Sequence, residues 1–188
     1  MPVSPPTKRL PRAILVLAAL GAAACGGTDT TQPADHASLH EAPSLAKGGN
    51  SGNAAGLVKS VHAATARFHA TVQATRAGYV PDSPCVAAPP GGMGFHWVNH
   101  SLADPAFDPL RPEALLYAPN AHGKLKLVGV EYIVIDVGQP APTFAGQPFN
   151  VGGTPVPVPH WSLHVWVHKS NPSGLFAPFN PDVICPAP

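Results

Sequence analysis

Hydrophobic and polar residues alternate most clearly over residues 160–168, and this alternation predicts a β-strand. Leu163, Val165 and Val167 would face one side of the sheet. The opposite side would carry a polar set of five residues, namely His160, Ser162, His164, Trp166 and His168. Because imidazoles are costly to bury without partners, three of them on one strand face require a chemical explanation.

Three further stretches have strand character. Residues 95–99 would place His96 and Val98 on one face, and a second histidine, His100, follows directly. Residues 112–119 form another apolar run, and the turn at residues 120–123 connects it to residues 125–136. This last stretch is apolar on both faces, which predicts a central strand of the sheet.

Glu131 interrupts the central strand. In a regular strand it shares a face with Leu125, Leu127, Ile133 and Ile135, whereas Val128, Val130, Tyr132 and Val134 share the other face. A buried carboxylate needs a cationic partner or a metal ion, and otherwise it takes up a proton. The alternative is a bulge at Gly129, which would reverse the local register and turn Glu131 toward water.

A helix is predicted over residues 54–77. Its apolar stripe has helical spacing and consists of Leu57, Val61, Ala64, Phe68 and Val72. Asn53 is the expected N-cap, and Gly78 suits the first position after the helix. His62 and His69, seven residues apart, nearly share a face of the helix and are expected to be partly exposed surface residues. They could form a ligand pair only with a further group from elsewhere.

The elements together predict an α+β domain over residues 53–188. One N-terminal helix would pack on an antiparallel sheet of four to six strands, with Pro- and Gly-rich loops at residues 81–94 and 137–159. The chain of 188 residues contains 25 prolines and 18 glycines, and only 11% of its residues are charged. Its net charge of +1 without a basic block argues against a nucleic-acid partner.

The N-terminus has the three parts of an export signal. Lys8, Arg9 and Arg12 precede an apolar run over residues 13–24, which is too short to span a bilayer, and small residues lead to Cys25. This segment resembles the lipobox signal of bacterial lipoproteins. The resemblance implies removal of residues 1–24, acylation of Cys25 and a location in the cell envelope, at the outer membrane or cell surface, with the lipid as the contact to the membrane.

An ordinary secretory signal cleaved nearby, with Cys25 left as a free thiol, is the alternative. Residues 25–52 are rich in Gly, Ser, Thr, Asp and Pro and predict a flexible tether, in which His36 and His40 would be solvated. With Cys25 acylated and the chain exported, Cys85 and Cys185 are expected to form a disulfide. The alternative is that both cysteines bind a metal ion as thiolates. It is less favoured because neither cysteine lies in a C-x-x-C pair.

The candidate site combines histidines from separate strands. Residues four apart on one strand are separated by about 13 Å, so one metal ion cannot bind several histidines of the same regular strand. We therefore expect His96, Glu131 and His164 to meet, with His100 or His160 as a fourth group. Such a set suits Zn, Fe(II), Mn or Cu. The alternative is that these residues are core or surface histidines satisfied by hydrogen bonds.

The body of the chain also resembles an uncharacterised group of secreted bacterial proteins. The similar blocks lie at residues 92–99, 112–117, 127–132 and 160–166, and the resemblance extends over about residues 63–186. It implies location and fold but no chemistry. Three functions stay open: an anchored protein that binds a transition metal or small ligand, a metal-dependent hydrolase or oxygenase using the same site, and a structural envelope lipoprotein.

Overall fold

The computed structural model describes residues 50–153 and 156–187, with side chains from Asn53 onward. The predicted signal, Cys25, His36, His40 and most of the predicted tether lie outside the described residues. Within the described part of the chain, no helix has both the length and the apolar character needed to cross a bilayer.

The described residues form an α+β fold, as predicted. In chain order the strands are Val80–Pro81 (β1), Val86–Ala88 (β2), Gly91–Val98 (β3), Ala114–Pro119 (β4), Leu125–Ile135 (β5), Thr143–Phe144 (β6), Gln147–Pro148 (β7), Asn150–Val151 (β8) and His160–Val165 (β9). The main sheet has the order β1-β3-β4-β5-β9-β8, and β2 also pairs with β3. Strands β6 and β7 form a separate hairpin. Every pairing is antiparallel, and β5 is central as expected.

Two segments that were predicted as loops contain strands. The first, residues 81–94, includes β2 and the first half of β3. The glycines there allow close backbone approach, because a Cβ at Gly92 would lie 2.6 Å from the carbonyl oxygen of Val183. The second, residues 137–159, includes β6, β7 and β8. Its hairpin places Phe144 in an aromatic cluster against Tyr132 and Phe107.

The prediction of one continuous helix over residues 54–77 is wrong. The structure has α1 (Asn50–Thr65), a 3₁₀ turn (Ala66–His69) and α2 (Thr71–Arg76). Ala70 adopts an extended conformation, with φ −89° and ψ 106°. The break frees the carbonyl oxygen of Phe68 to accept a hydrogen bond of 2.6 Å from the hydroxyl of Tyr117. Beyond it, Val72 is 53% exposed instead of continuing the apolar stripe.

The ends of this helical segment differ in how well they were predicted. Asn53 is not an N-cap, because α1 already begins at Asn50. The C-terminal end matches the prediction: Gly78 has φ +93°, its amide donates to Thr75 O, and the amide of Tyr79 donates to Ala74 O. This pair of hydrogen bonds is the Schellman arrangement, which satisfies carbonyls left free at a helix end.

The two faces of the sheet are covered differently. The helical segment packs on one face, where Val61 and Phe68 join Leu115, Tyr117, Val130, Tyr132 and Leu163 in the main core. The opposite face carries His96, Glu131 and His164. There the C-terminal segment contributes Val183 to a cluster with Leu116 and Trp166, and Val156 packs near Ile133. The face that carries the three candidate ligands is therefore the one that the helical segment does not cover.

A bulge in β5 determines which residues share the face of Glu131. Leu116 pairs with Gly129 and Tyr117 pairs with Leu127, so Val128 has no opposite residue on β4. The prediction that Leu125 and Leu127 share a face with Glu131 is wrong, because both pack in the main core with Tyr132. The expected alternative, in which a bulge exposes Glu131, is also wrong, because Glu131 is only 1% exposed.

The predicted disulfide is confirmed. Cys85 and Cys185 are bonded, with their Cα atoms 5.6 Å apart and a sequence separation of 100 residues. In the chain-entropy model, a loop of this length stabilises the folded state by up to about 4.7 kcal/mol. The bond ties the segment before β2 to the C-terminal segment, and both lie near β3.

The close approach of β9 requires glycine at position 129, next to the bulge. A Cβ there would lie 2.8 Å from the carbonyl oxygen of Val165, which is backbone and cannot move aside easily. We expect Gly129→Ala to lower the free energy of unfolding by about 1–3 kcal/mol. The matched control is Gly56→Ala, since a Cβ at this position of α1 meets open space. This substitution should raise the free energy of unfolding by about 0.5–1 kcal/mol. Urea unfolding measures both; equal effects of the two substitutions would contradict the assignment.

Candidate metal centre

Three strands of the main sheet, β3, β5 and β9, bring the candidate ligands together, with β4 between β3 and β5. Glu131 on β5 lies directly opposite His164 on β9 and opposite Ala114 on β4. His96 on β3 reaches the same face of the sheet, opposite Leu116. All three side chains are buried, with exposures of 3% for His96, 1% for Glu131 and 7% for His164. The strand-per-ligand arrangement expected from the sequence is thus present.

The donor atoms of the three residues converge on one point. His96 Nε2 lies 3.5 Å from Glu131 Oε2, and His164 Nε2 lies 3.9 Å from Glu131 Oε1. The three ligand atoms all lie within 4.8 Å of one another, and no other set of three such groups among the described residues is as close. Two ligand atoms on a tetrahedral Zn²⁺ are about 3.4 Å apart. Small side-chain rotations would therefore close the cluster around an ion.

Burial favours the neutral form of each group in the metal-free protein. It lowers the pKa of His96 to about 4 and that of His164 to about 3, and it raises the pKa of Glu131 to about 8. The neighbouring Glu113 raises the pKa of Glu131 further, whereas a hydrogen bond from Ser162 opposes the shift. The two short distances are therefore contacts between neutral groups and not ion pairs.

Two of these atoms lack hydrogen bonds. Glu131 Oε2 and His164 Nε2 are fully buried and have no hydrogen-bond partner among the described residues. An unsatisfied buried polar atom costs about 1–3 kcal/mol. A core network of satisfied histidines, the alternative expected from the sequence, does not have this pattern. The three groups instead bring one potential ligand atom each to a shared space, an arrangement that could hold a cation.

Two residues outside the cluster, Ser83 and Glu113, bear on its members. Ser83 Oγ lies 3.4 Å from Nδ1 of His96, the ring nitrogen that points away from Glu131. Hydrogen bonds of this kind hold the ring orientation of metal-binding histidines. Glu113 is 2% exposed, and its Oε2 accepts a hydrogen bond of 2.9 Å from the amide of Ile133. Burial raises the pKa of Glu113 to about 8.

Two histidines that the sequence offered as fourth ligands lie elsewhere. His100 begins a 3₁₀ turn, and its Nε2 lies 2.8 Å from Asp82 Oδ1. His160 is buried at the far end of β9, opposite Ile135, and its Nδ1 contacts the carbonyl oxygen of Val158 at 2.7 Å. Neither belongs to the three-residue cluster. A fourth position on an ion would fall to water or another small ligand.

Comparison with known proteins adds no functional assignment. No protein-family model matches the chain, and no curated protein or solved structure matches it significantly. The interpretation of these residues as a candidate metal centre therefore depends on their geometry.

Sequence reasoning missed the supporting residues. Glu113 is next to the start of a strand and reads as an ordinary polar boundary residue, and Ser83 lies in a turn. Only the three-dimensional pairing shows that both approach the centre. A weak signal existed for Glu113, because it is an acidic residue directly before the apolar run of residues 114–119.

The raised pKa of Glu113 predicts an alkaline loss of stability. The folded protein keeps a proton that the unfolded chain releases above pH 4.5, so stability decreases as pH rises toward about 8. Each carboxyl of this kind costs up to about 1.4 kcal/mol per pH unit in that window. Glu113→Gln cannot titrate and should remove about half of the loss between pH 6 and pH 8, since Glu131 still contributes.

Urea unfolding with chelator at both pH values measures this loss. The control is Asp182→Asn, which replaces an exposed carboxyl and should leave the pH dependence of the wild type unchanged. If Glu113→Gln and the wild type have the same pH dependence, Glu113 is not protonated in the folded protein.

Proposed function

We propose that this chain is an exported, lipid-anchored protein of the cell envelope whose domain binds a divalent transition-metal ion through His96, Glu131 and His164. The observation that carries the proposal is the convergence of three buried ligand atoms within 4.8 Å of one another, two of them without hydrogen bonds. Two imidazole nitrogens and one carboxylate oxygen are the ligands that such ions prefer.

The ligand set favours zinc or copper over hard cations. Ca²⁺ takes six to eight oxygen ligands, and Mg²⁺ holds several waters in an octahedral shell. This cluster supplies only one carboxylate, in surroundings that include Ala114, Leu116 and Ile133. Zn²⁺ accepts three protein ligands in a tetrahedral site, and Cu²⁺ binds N/O ligands still more tightly in general. Fe(II) and Mn(II) fit the same ligands with lower intrinsic affinity.

Burial favours metal binding over catalysis. The three ligand side chains together expose very little surface, because each is at most 7% exposed. A substrate larger than water would have to displace packed side chains to reach an ion there. The ion would instead be held as a stable part of the fold, or stored and released on opening of the sheet face. A metal enzyme would require a cleft at these residues.

Two features support export and anchoring. The basic, apolar and small-residue parts of the N-terminus are in the order of a lipoprotein signal. The disulfide between Cys85 and Cys185 is typical of proteins that fold in an oxidising compartment. Acylation at Cys25 would then hold the domain at the membrane surface through lipid chains.

Metal binding is tested on the chelator-treated protein. Addition of Zn²⁺ should raise the melting temperature, with about 2.7 kcal/mol of stabilisation when free Zn²⁺ is 100 times the Kd. Glu131→Gln keeps the shape of the neutral side chain, so the apoprotein should melt as the wild type does. Its Zn²⁺ affinity should fall more than about 100-fold, because the negatively charged ligand is lost.

His100→Ala is the matched control for this experiment. The ring of His100 is 54% exposed and pairs with Asp82 outside the cluster, so this variant should bind Zn²⁺ at the buried centre as the wild type does. The proposal is refuted if neither Zn²⁺ nor Cu²⁺ shifts the melting of the wild type.

The anchor is tested by Cys25→Ser in the full chain expressed in a bacterial host. Wild type should sediment with membranes and enter the detergent phase, because two or more acyl chains give stable membrane attachment. The serine variant should appear in the soluble envelope fraction. Equal distribution of both proteins would point to an ordinary secretory signal with Cys25 as a free thiol.

A further inference from the structure

His168 does not continue the histidine face of β9. The strand ends at Val165, and the amide of Val167 donates to the carbonyl oxygen of Val165 at 2.9 Å, which turns the chain sharply. The ring of His168 consequently lies against the helical segment. Its centroid is 4.5 Å from that of His62 and 4.7 Å from that of His69. The sequence expectation that His168 shares the face of His164 is wrong, since the turn carries it to the helix side.

The hydrogen bonds of Thr65 define which nitrogen of His168 carries the proton. The Thr65 hydroxyl donates to the carbonyl oxygen of Val61 at 2.7 Å, and Nε2 of His168 lies 2.8 Å from the same hydroxyl oxygen. A hydroxyl has one hydrogen, so Nε2 of His168 must be the donor in the second contact. Nδ1 of the neutral ring therefore carries a lone pair.

This lone pair has no protein partner. Nδ1 of His168 is buried and has no hydrogen bond among the described residues. Burial, followed by the charges of His69 and His62, lowers the pKa of His168 to about 4, so the ring stays neutral at physiological pH. An imidazole that donates one N–H to a protein oxygen and presents the other nitrogen bare has the arrangement of a metal-binding histidine.

We propose that His62, His69 and His168 form a second site for a Zn²⁺- or Cu²⁺-type cation, separate from the buried centre and open to solvent. His168 supplies the fixed ligand, Nδ1. His62 and His69 are exposed, and their rings must rotate for their nitrogens to converge on the same ion. The two rings already contact His168, so the required movement is a side-chain rotation and not a change of backbone.

The surroundings permit such an ion but do not enclose it. A cavity of about 520 Å³ borders His69 and His168, with Lys126, Lys169 and Asp182 in its lining. Burial, followed by the charge of Lys126, lowers the pKa of His69. Lys126 would also oppose a bound cation, whereas the carboxylate of Asp182 would attract one. The cavity leaves room for water ligands. We therefore expect weaker binding here than at the buried centre, with rapid exchange.

The experiment uses the full protein carrying Glu131→Gln, so that the buried centre does not contribute. Titration with Cu²⁺ should show one bound equivalent, with nitrogen couplings from imidazoles in the electron paramagnetic resonance spectrum. Adding His62→Ala and His69→Ala to this protein should weaken binding more than 10-fold and remove those couplings. Both residues are exposed, so the fold is expected to persist, and the circular dichroism spectrum checks this. His122→Ala, which removes another exposed histidine, is the control and should change nothing.

Three outcomes overturn this second site: no Cu²⁺ bound by the Glu131→Gln protein, binding unaffected by loss of His62 and His69, or equal weakening by His122→Ala. The result is separate from that for the buried centre. If the second site binds an ion and the buried centre does not, the wild type and the Glu131→Gln protein both bind one ion. Both proteins then lose that ion when His62 and His69 are replaced.

Discussion

The placement of a carboxyl group between two imidazoles in the middle of the sheet is the constraint on which this fold depends. Glu131 lies on the central strand β5 and is 1% exposed. It faces His96 on β3 and His164 on β9, the strands that flank the β4–β5 pair. Polar atoms buried without hydrogen bonds reduce stability. The hydrophobic packing on the opposite face, where the helical segment lies, must offset this cost.

Two local irregularities of the strands determine which face of the sheet Glu131 and the histidines lie on. The bulge at Val128 allows the first half of β5 to direct Leu127 into the main core while the second half directs Glu131 to the other face. The turn after Val165 separates His168 from His164 in the same way. Bulges and sharp turns re-aim side chains without ending the sheet. His164 and His168, four residues apart in sequence, thus lie in two environments: His164 beside Glu131 in the buried cluster, and His168 beside the exposed His62 and His69.

The strands and the cluster were predictable from the sequence, whereas the irregularities were not. Alternation with a period of two identified the strands, and the 13 Å spacing within a strand required one ligand from each. The same period fails at a bulge, so it misassigned Leu127, and it misplaced His168 beyond the end of β9. The break at Ala70 was missed because Tyr117, distant in sequence, provides the hydrogen bond that replaces a helical one.

Glu113 bears on how the centre would tolerate a doubly charged ion. Without metal, burial raises the pKa of both carboxyl groups to about 8, and the neighbouring Glu113 adds to the cost of ionising Glu131. A divalent cation on Glu131 reverses this balance, because a nearby positive charge favours the ionised form of both groups. Two carboxylates and one divalent ion sum to zero charge around neutral imidazoles. A centre with one carboxylate among its ligands and a second close by can therefore hold such an ion without leaving a net charge buried in the sheet.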